Sequence, residues 1–304
     1  MKKLKLINYL TVLIAMLLLG GCTKDDTPSD TGSIPTADFS FTNDDNLFVF
    51  TNLSEGATTY RWDFGDLGFY CDKENPMYRY TKAGGEIKVT LTAMNESGQE
   101  ASVTKTITAP VILNVEIAID GNFAEWGVVP VLYDESSSVG GSIKKIKMWG
   151  KGDNINIYLE GNTSMKMELV DMYINSDGNS STGFLSWQWP VGSGAEFLFE
   201  GPVLTGSWGG FYRHTDPSGG WGWSYLAGSE SSLISSGIVS VNATTNAIEI
   251  SIPKTQLGSL GSTISLAITE MTGGWAGVAS FPNPSGTSSF VSYKLPIDAV
   301  FLCQ

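Results

Sequence analysis

The chain has 304 residues, with 18 Lys+Arg against 31 Asp+Glu, a formal net charge of −13, only 16% charged residues, 35 Gly and 9 Trp. So acidic a surface repels phosphate backbones and anionic headgroups, which argues against a nucleic-acid partner. The composition is that of a turn-rich, all-β, extracytoplasmic protein, and a single histidine excludes a bis-histidine haem or a His-rich zinc centre.

The N-terminus opens on a basic start, Met1-Lys2-Lys3-Leu4-Lys5, followed by an apolar run from Leu10 to Leu19. That run is shorter than the ~20 residues needed to span a bilayer, so residues 1–21 read as a signal peptide. Leu19-Gly20-Gly21-Cys22 resembles a bacterial lipobox, which implies lipidation of Cys22. Thr23-Lys24-Asp25-Asp26 resembles the acidic export signal of Bacteroidetes surface lipoproteins, which implies a lipid-anchored protein exposed on the outer membrane. Removing the signal leaves 15 basic against 31 acidic residues, or −16. Residues 22–35, rich in Ser, Thr, Asp, Gly and Pro, have almost nothing to bury and read as a flexible tether.

Residues 36–110 carry strand signals. Phe39 and Phe41 alternate with polar residues, as do Phe48 and Phe50, and Lys88–Ala93 places Val89, Leu91 and Ala93 on one face. Ser102–Thr108 is a further β-rich run. Within this stretch stand Tyr60-Arg61-Trp62-Asp63-Phe64-Gly65-Asp66, Asn75-Pro76-Met77-Tyr78-Arg79-Tyr80 and Asn95-Glu96-Ser97-Gly98. Here the sequence resembles a PKD domain, which implies a small immunoglobulin-like sandwich acting as a spacer, with Trp62 in the core and Asp63 and Asp66 fixing a turn. Leu67-Gly68-Phe69-Tyr70-Cys71 departs from the family pattern after the signature. Cys71 and Cys303 show no metal-type spacing, and two readings stand: a disulfide, or two free thiols.

Residues 111–304 also read as β, and all-β is the expected class for the whole chain: a small sandwich followed by a larger one. Ile143–Trp149 and Asn154–Leu159 flank Gly150-Lys151-Gly152-Asp153, a hairpin signal; Ala247–Ile252 alternates, as do Ile264, Leu266 and Ile268. Four strings in order resemble family 9 carbohydrate-binding modules and related DOMON-like sandwiches: Ile119–Trp126, Met172–Asn179 with Thr182-Gly183, Gly194–Gly201, and Ile248–Lys254 with Leu257-Gly258. The resemblance implies glycan binding in many members and haem binding in some relatives, so the fold alone leaves the ligand open.

Five tryptophans, Trp187, Trp189, Trp208, Trp221 and Trp223, fall in one short stretch with Phe211, Tyr212 and Tyr225, separated by Gly, Ser and Pro. Rings on Gly-rich loops can stand exposed, and a sugar's C–H face stacks on an aromatic ring while its hydroxyls need polar partners. Trp208, Trp221 and Trp223 sit in Gly-rich stretches without alternating apolar neighbours and rank above Trp187 and Trp189 as platforms; the latter two share a side of any strand there, which points to core for at least one. Arg213, with Asp216, Gln188 and Glu196, is a candidate polar partner. Trp126 and Trp149 read as packing, and His214 as a surface residue. Asn175, Asp177 and Asn179 offer oxygens at alternate positions, either a calcium loop or a plain turn; no other cofactor is expected. The leading expectation is a non-catalytic lipoprotein that captures polysaccharide beside an outer-membrane glycan importer. Its alternatives are a glycoside hydrolase and an adhesive surface protein.

Overall fold

The computed structural model describes residues 33–66, 68–80, 84–111, 113–206, 208–296 and 303. The expected signal peptide, the lipidated Cys22 and the tether up to residue 32 lie outside the described residues. Among those described, no helix is long and apolar enough to cross a membrane.

The first unit contains β1 (Phe39–Asp44), β2 (Leu47–Asn52), β3 (Thr59–Asp63), β4 (Tyr70–Cys71), β5 (Met77–Arg79), β6 (Gly85–Met94) and β7 (Glu100–Ala109). They form a three-stranded sheet, β1-β2-β5, and a four-stranded sheet, β4-β3-β6-β7. Phe39, Phe48, Phe50, Trp62, Phe64, Tyr78 and Tyr80 fill the space between them. Each buried polar tip finds a partner: Trp62 Nε1 donates to the Lys73 carbonyl at 2.9 Å, Tyr80 Oη to the Phe64 carbonyl at 2.9 Å, and Tyr78 Oη to Asp66 Oδ2 at 3.1 Å. Asp63 Oδ1 accepts from the Gly65 N–H at 2.9 Å. Gly65 has φ +68°, and a Cβ there would stand 2.5 Å from the Lys88 carbonyl oxygen, so the turn requires glycine. Trp62 is core and Asp63 holds the turn, as the sequence indicates, while the Asp66 carboxylate is bonded to Tyr78 on β5.

The larger unit contains β8 (Tyr133–Asp134), β9 (Ile143–Trp149), β10 (Asn154–Asn162), β11 (Leu169–Asn175), β12 (Phe197–Gly201), β13 (Gly210–His214) and β14 (Trp223–Tyr225). It continues with β15 (Ile234–Ser235), β16 (Val239–Asn242), β17 (Thr245–Pro253), β18 (Thr263–Met271), β19 (Gly277–Phe281) and β20 (Val291–Lys294). One sheet runs β15-β17-β10-β9-β8, with β16 also on β17; the other runs β14-β13-β12-β11-β18-β19, with β20 also on β18. The period-two alternation of Ile146 and Met148, Ile155, Ile157 and Leu159, and Ile248, Ile250 and Ile252 meets Met172, Ile174, Phe197, Phe199, Leu266 and Ile268 in one core.

The outer face of the six-stranded sheet is closed. Trp126, Val129, Tyr158 and Ala247 pack there with Val115, Ile117, Phe123 and Trp149 from the segment and strands around them. The lock is Glu249, fully buried on β17. Its carboxylate accepts from Trp126 Nε1 at 2.9 Å and from the Asp120 and Gly121 N–H groups at 3.1 and 2.9 Å. Burial pushes its pKa up while those three donors pull it down. Two strings far apart in the chain, Ile119–Trp126 and Ile248–Lys254, therefore form one structural joint.

Among the described residues, a disulfide and an ion pair join the units. Cys71 and Cys303 form a disulfide, with Cα atoms 5.8 Å apart, which decides between the two readings of these cysteines. Cys303 packs against the aromatic core of the first unit. Lys294 Nζ also meets Asp44 Oδ1 at 3.0 Å, an exposed ion pair of small energetic weight.

Candidate functional site

The seven-stranded sheet has a different outer face. Alternation sends Val170, Met172 and Ile174 of β11 inward and Asp171 and Tyr173 outward. The antiparallel registers then build two rows across the face. One is Tyr225, Tyr212, Leu198, Tyr173 and Ala267; the next is Gly210, Glu200, Asp171, Thr269 and Ser280.

Toward the 214–223 end this face is covered. Phe184 and Trp189 from the β11–β12 connection and Phe290 close over Tyr173, Leu198 and Ala267, with Tyr212 and Trp223 at the margin. Gly183 (φ +70°) lets the connection lie flat, since a Cβ there would stand 2.5 Å from the Ala195 carbonyl oxygen. Leu185 N–H donates to the Gly219 carbonyl at 2.9 Å and ties this loop to the β13–β14 loop. On top of the small core stands Trp221, 60% exposed, with ring centroids 5.3 Å from Phe184, 5.9 Å from Trp223 and 6.4 Å from Tyr173. Beside it lies an open depression of about 430 Å³, lined among others by Thr182, Leu185, His214, Asp216 and Ser218.

At the opposite end of the strands, Trp208 (44% exposed) and Trp275 (51% exposed) face each other from two hairpins, centroids 5.8 Å apart. Between the two aromatic ends lies the strip with Asp171 and Glu200 directly opposite on adjacent strands. Tyr173 Oη donates to Asp171 Oδ2 at 3.3 Å; Asp171 Oδ1 is shielded from water and has no hydrogen-bond partner. Burial first, and the Glu200 charge second, push the Asp171 carboxyl up to about 6. Burial likewise raises Glu200, and burial with the two carboxylates raises the Tyr212 phenol. The Thr269 and Ser280 hydroxyls, 3.3 Å apart, continue the row.

The residues singled out in the sequence do not form one cluster. Trp221 stands at one end and Trp208 at the other. Trp223 is half-buried and packs beneath Trp221, so it is partly core rather than a free platform. Trp189 is fully buried, its Nε1 donating to the Pro282 carbonyl at 2.9 Å, whereas Trp187 is 82% exposed. The two do not share a strand face, because the chain there is a series of turns. Their rank below Trp223 therefore suits Trp189 and not Trp187. Tyr212 lies on the outer face, but alternation puts Arg213, which is exposed, on the opposite side with Phe211. His214 is half-buried, its ring 5.0 Å from Trp223 and its Nε2 2.8 Å from the Gly220 carbonyl oxygen, so it is not a plain surface residue.

Gln188 N–H donates to Ser186 Oγ at 3.2 Å, and Asp216 Oδ1 accepts from Ser218 N–H and Oγ at 2.8 and 2.7 Å. Glu196 accepts from Ser176 N–H at 2.9 Å and from Thr182 Oγ1 at 3.3 Å. In the loop expected to offer calcium ligands, Asn175 Oδ1 accepts from Gly178 N–H at 2.8 Å, Asp177 Oδ1 from Asn179 N–H at 2.7 Å, and Asn179 Oδ1 from Ser181 N–H at 3.1 Å. These are the side-chain-to-backbone bonds of Asx turns, and they hold the loop that carries Phe184. Sequence reasoning missed Asp171, Glu200 and Trp275; the only signal was a charge at an outward position of each alternating strand.

Residues 33–111 match the family model of the PKD domain, and a larger β-sandwich follows them. The PKD1 domain of Vibrio anguillarum Epp is similar at 28% identity over 26% of this chain and 98% of that one, with a TM-score of 0.25. The PKD1 domain from Vibrio cholerae metalloprotease PrtV is similar at 30% identity over 25% and 98%, with a TM-score of 0.24. A structure described as a carbohydrate-binding module from the β-sandwich superfamily is similar at 15% identity over 78% and 96%, with a TM-score of 0.26. A search of the curated proteins gives no match.

The Asp171 carboxyl supplies a direct test of the strip. Because its folded pKa lies above the ordinary aspartate value, its contribution to stability is full at low pH and is lost as pH rises through about 6. Side-chain carboxyl NMR should give a midpoint near 6, and Asp171→Asn should remove that part of the stability profile. A midpoint in the usual aspartate range would mean that the strip is open to water.

Proposed function

We propose that the larger sandwich binds a polysaccharide along the outer face of its seven-stranded sheet, without cleaving it. The observation that carries this reading is the arrangement of exposed rings, Trp221 at one end and Trp208 with Trp275 at the other, on either side of a strip of carboxylates and hydroxyls. Rings take the apolar faces of sugars and the strip takes their hydroxyls. The outer face of the other sheet is occupied by the 113–129 segment and is not available.

In the same proposal the chain is a lipoprotein: signal peptide 1–21, acyl anchor on Cys22, tether 22–35, PKD spacer 36–110 and glycan-binding sandwich 111–304. It would display the sandwich on the outer membrane beside a glycan importer. The Cys71–Cys303 disulfide supports an oxidising, extracytoplasmic location. A hydrolase is the second reading, and what favours it is the facing pair Asp171 and Glu200 with one carboxyl raised. Reducing-sugar release that disappears in Asp171→Asn would establish it; no release is expected.

Trp221→Ala and Trp208→Ala should each weaken polysaccharide binding by about 1–3 kcal/mol, or roughly 5- to 150-fold, and leave the melting temperature nearly unchanged. Trp189→Ala should instead cost about 3–5 kcal/mol of folding free energy. Calorimetric titration and thermal unfolding of the three variants check this; both exposed variants unfolding early with affinity intact would contradict it. For the anchor, metabolic labelling with a fatty acid should mark the wild type and not Cys22→Ala, and unchanged labelling would remove the lipid from the proposal.

A further inference from the structure

The strands of the seven-stranded sheet carry two basic residues, Arg213 and Lys294. Arg213 lies on the side away from the strip, and Lys294 is paired with Asp44. Asp171 and Glu200 form no ion pair among the described residues, although directly opposed like charges cost stability in a sheet. Their surroundings are Tyr173 beside Asp171, Tyr212 and Tyr225 in the neighbouring row, and Thr269 and Ser280 in their own. Ionised carboxylates only accept hydrogen bonds, and Asp171 Oδ1 has an acceptor with nothing to accept from. A like-charged pair kept without a cation on a half-open face, between exposed tryptophans, breaks a local rule that the fold gains nothing by breaking.

Resting on the glycan-binding reading above, we infer that Asp171 and Glu200 set the charge class of the ligand: the face takes an uncharged, hydroxyl-rich glycan and turns away chains bearing uronate or sulfate. Neighbouring hydroxyls of a neutral sugar donate to the outward oxygens of the two carboxylates, and such charge-assisted bonds are the stronger kind. The phenol and Thr/Ser hydroxyls around the pair can donate to the sugar in return. A carboxylate or sulfate on the ligand would meet two negative charges in a partly dry strip and find no basic side chain of this sheet facing it. The filter is local, distinct from the acidity of the chain as a whole.

The test is affinity electrophoresis of the full mature chain in gels containing galactan, xylan, galactomannan or laminarin, against polygalacturonate, alginate and chondroitin sulfate. Expected is retardation by at least one uncharged polymer and by none of the anionic ones. Asp171→Asn/Glu200→Gln should then weaken the uncharged interaction by about tenfold or more, a loss of the size that charged hydrogen bonds carry. Single Asp171→Asn serves as a second, milder variant, with thermal unfolding as the check on folding. Glu96→Gln/Glu100→Gln removes the same two charges from exposed positions of the PKD domain and should change nothing. Retardation of the wild type by an anionic polymer, or full affinity in both strip variants, overturns the charge filter while leaving glycan binding in place. No retardation by any polymer overturns the glycan-binding reading, and the filter with it.

Discussion

The register of β11 against β12 is the constraint on which the larger sandwich depends. It sets Met172 opposite Phe199 and Ile174 opposite Phe197 on the inside, and Asp171 opposite Glu200 on the outside. Because side chains alternate with period two, a slip of one residue would exchange those sets. The Asp171 carboxylate would then enter an aliphatic core, at a cost of several kcal/mol, while Met172 and Ile174 would face water. The same register therefore fixes both the core and the acidic strip, and neither can be altered alone.

A second carboxylate keeps the opposite outer face closed. Glu249 holds the 113–129 segment across the outer side of the six-stranded sheet through three N–H donors. Its partners satisfy it fully, and it serves structure. Glu270, buried on β18, behaves in the same way, accepting from Ser142 Oγ and from the Lys166 and Met167 N–H groups. Asp171 differs from both, with one oxygen bonded to Tyr173 and the other left over. Buried polar groups are normally paired; Glu125 Oε2 and Glu135 Oε1 are likewise shielded and without a partner, so the leftover oxygen separates Asp171 from Glu249 and Glu270 only.

Much of the fold was legible in the sequence because it rests on local patterns. Alternation located β6, β17 and β18, and the Gly150–Asp153 turn located the β9–β10 hairpin, which pairs in register from Trp149 to Lys145 and shifts before Ile143. The Trp62–Asp66 string was read correctly because its bonds close within one domain. What failed were inferences from proximity in sequence. Trp208 and Trp221 are near each other in the chain, but β13 runs between them and carries them to opposite ends of the sheet. Trp187 and Trp189 were assigned one face on the assumption of a strand; a turn sends one into solvent and the other beneath Phe290. Trp275 and the Asp171–Glu200 pair arise from cross-strand pairing, which no local pattern encodes.

Hydrogen–deuterium exchange of the full chain, with and without a saturating polysaccharide that retards it in gels, tests the central claim most directly. Binding along the outer face of the seven-stranded sheet should slow exchange in β11, β12 and β13 and in the loops that carry Trp208, Trp221 and Trp275. Exchange in the PKD domain and in residues 113–129 should be unchanged. Protection confined to either of those two regions, with β11 to β13 unaffected, would contradict it.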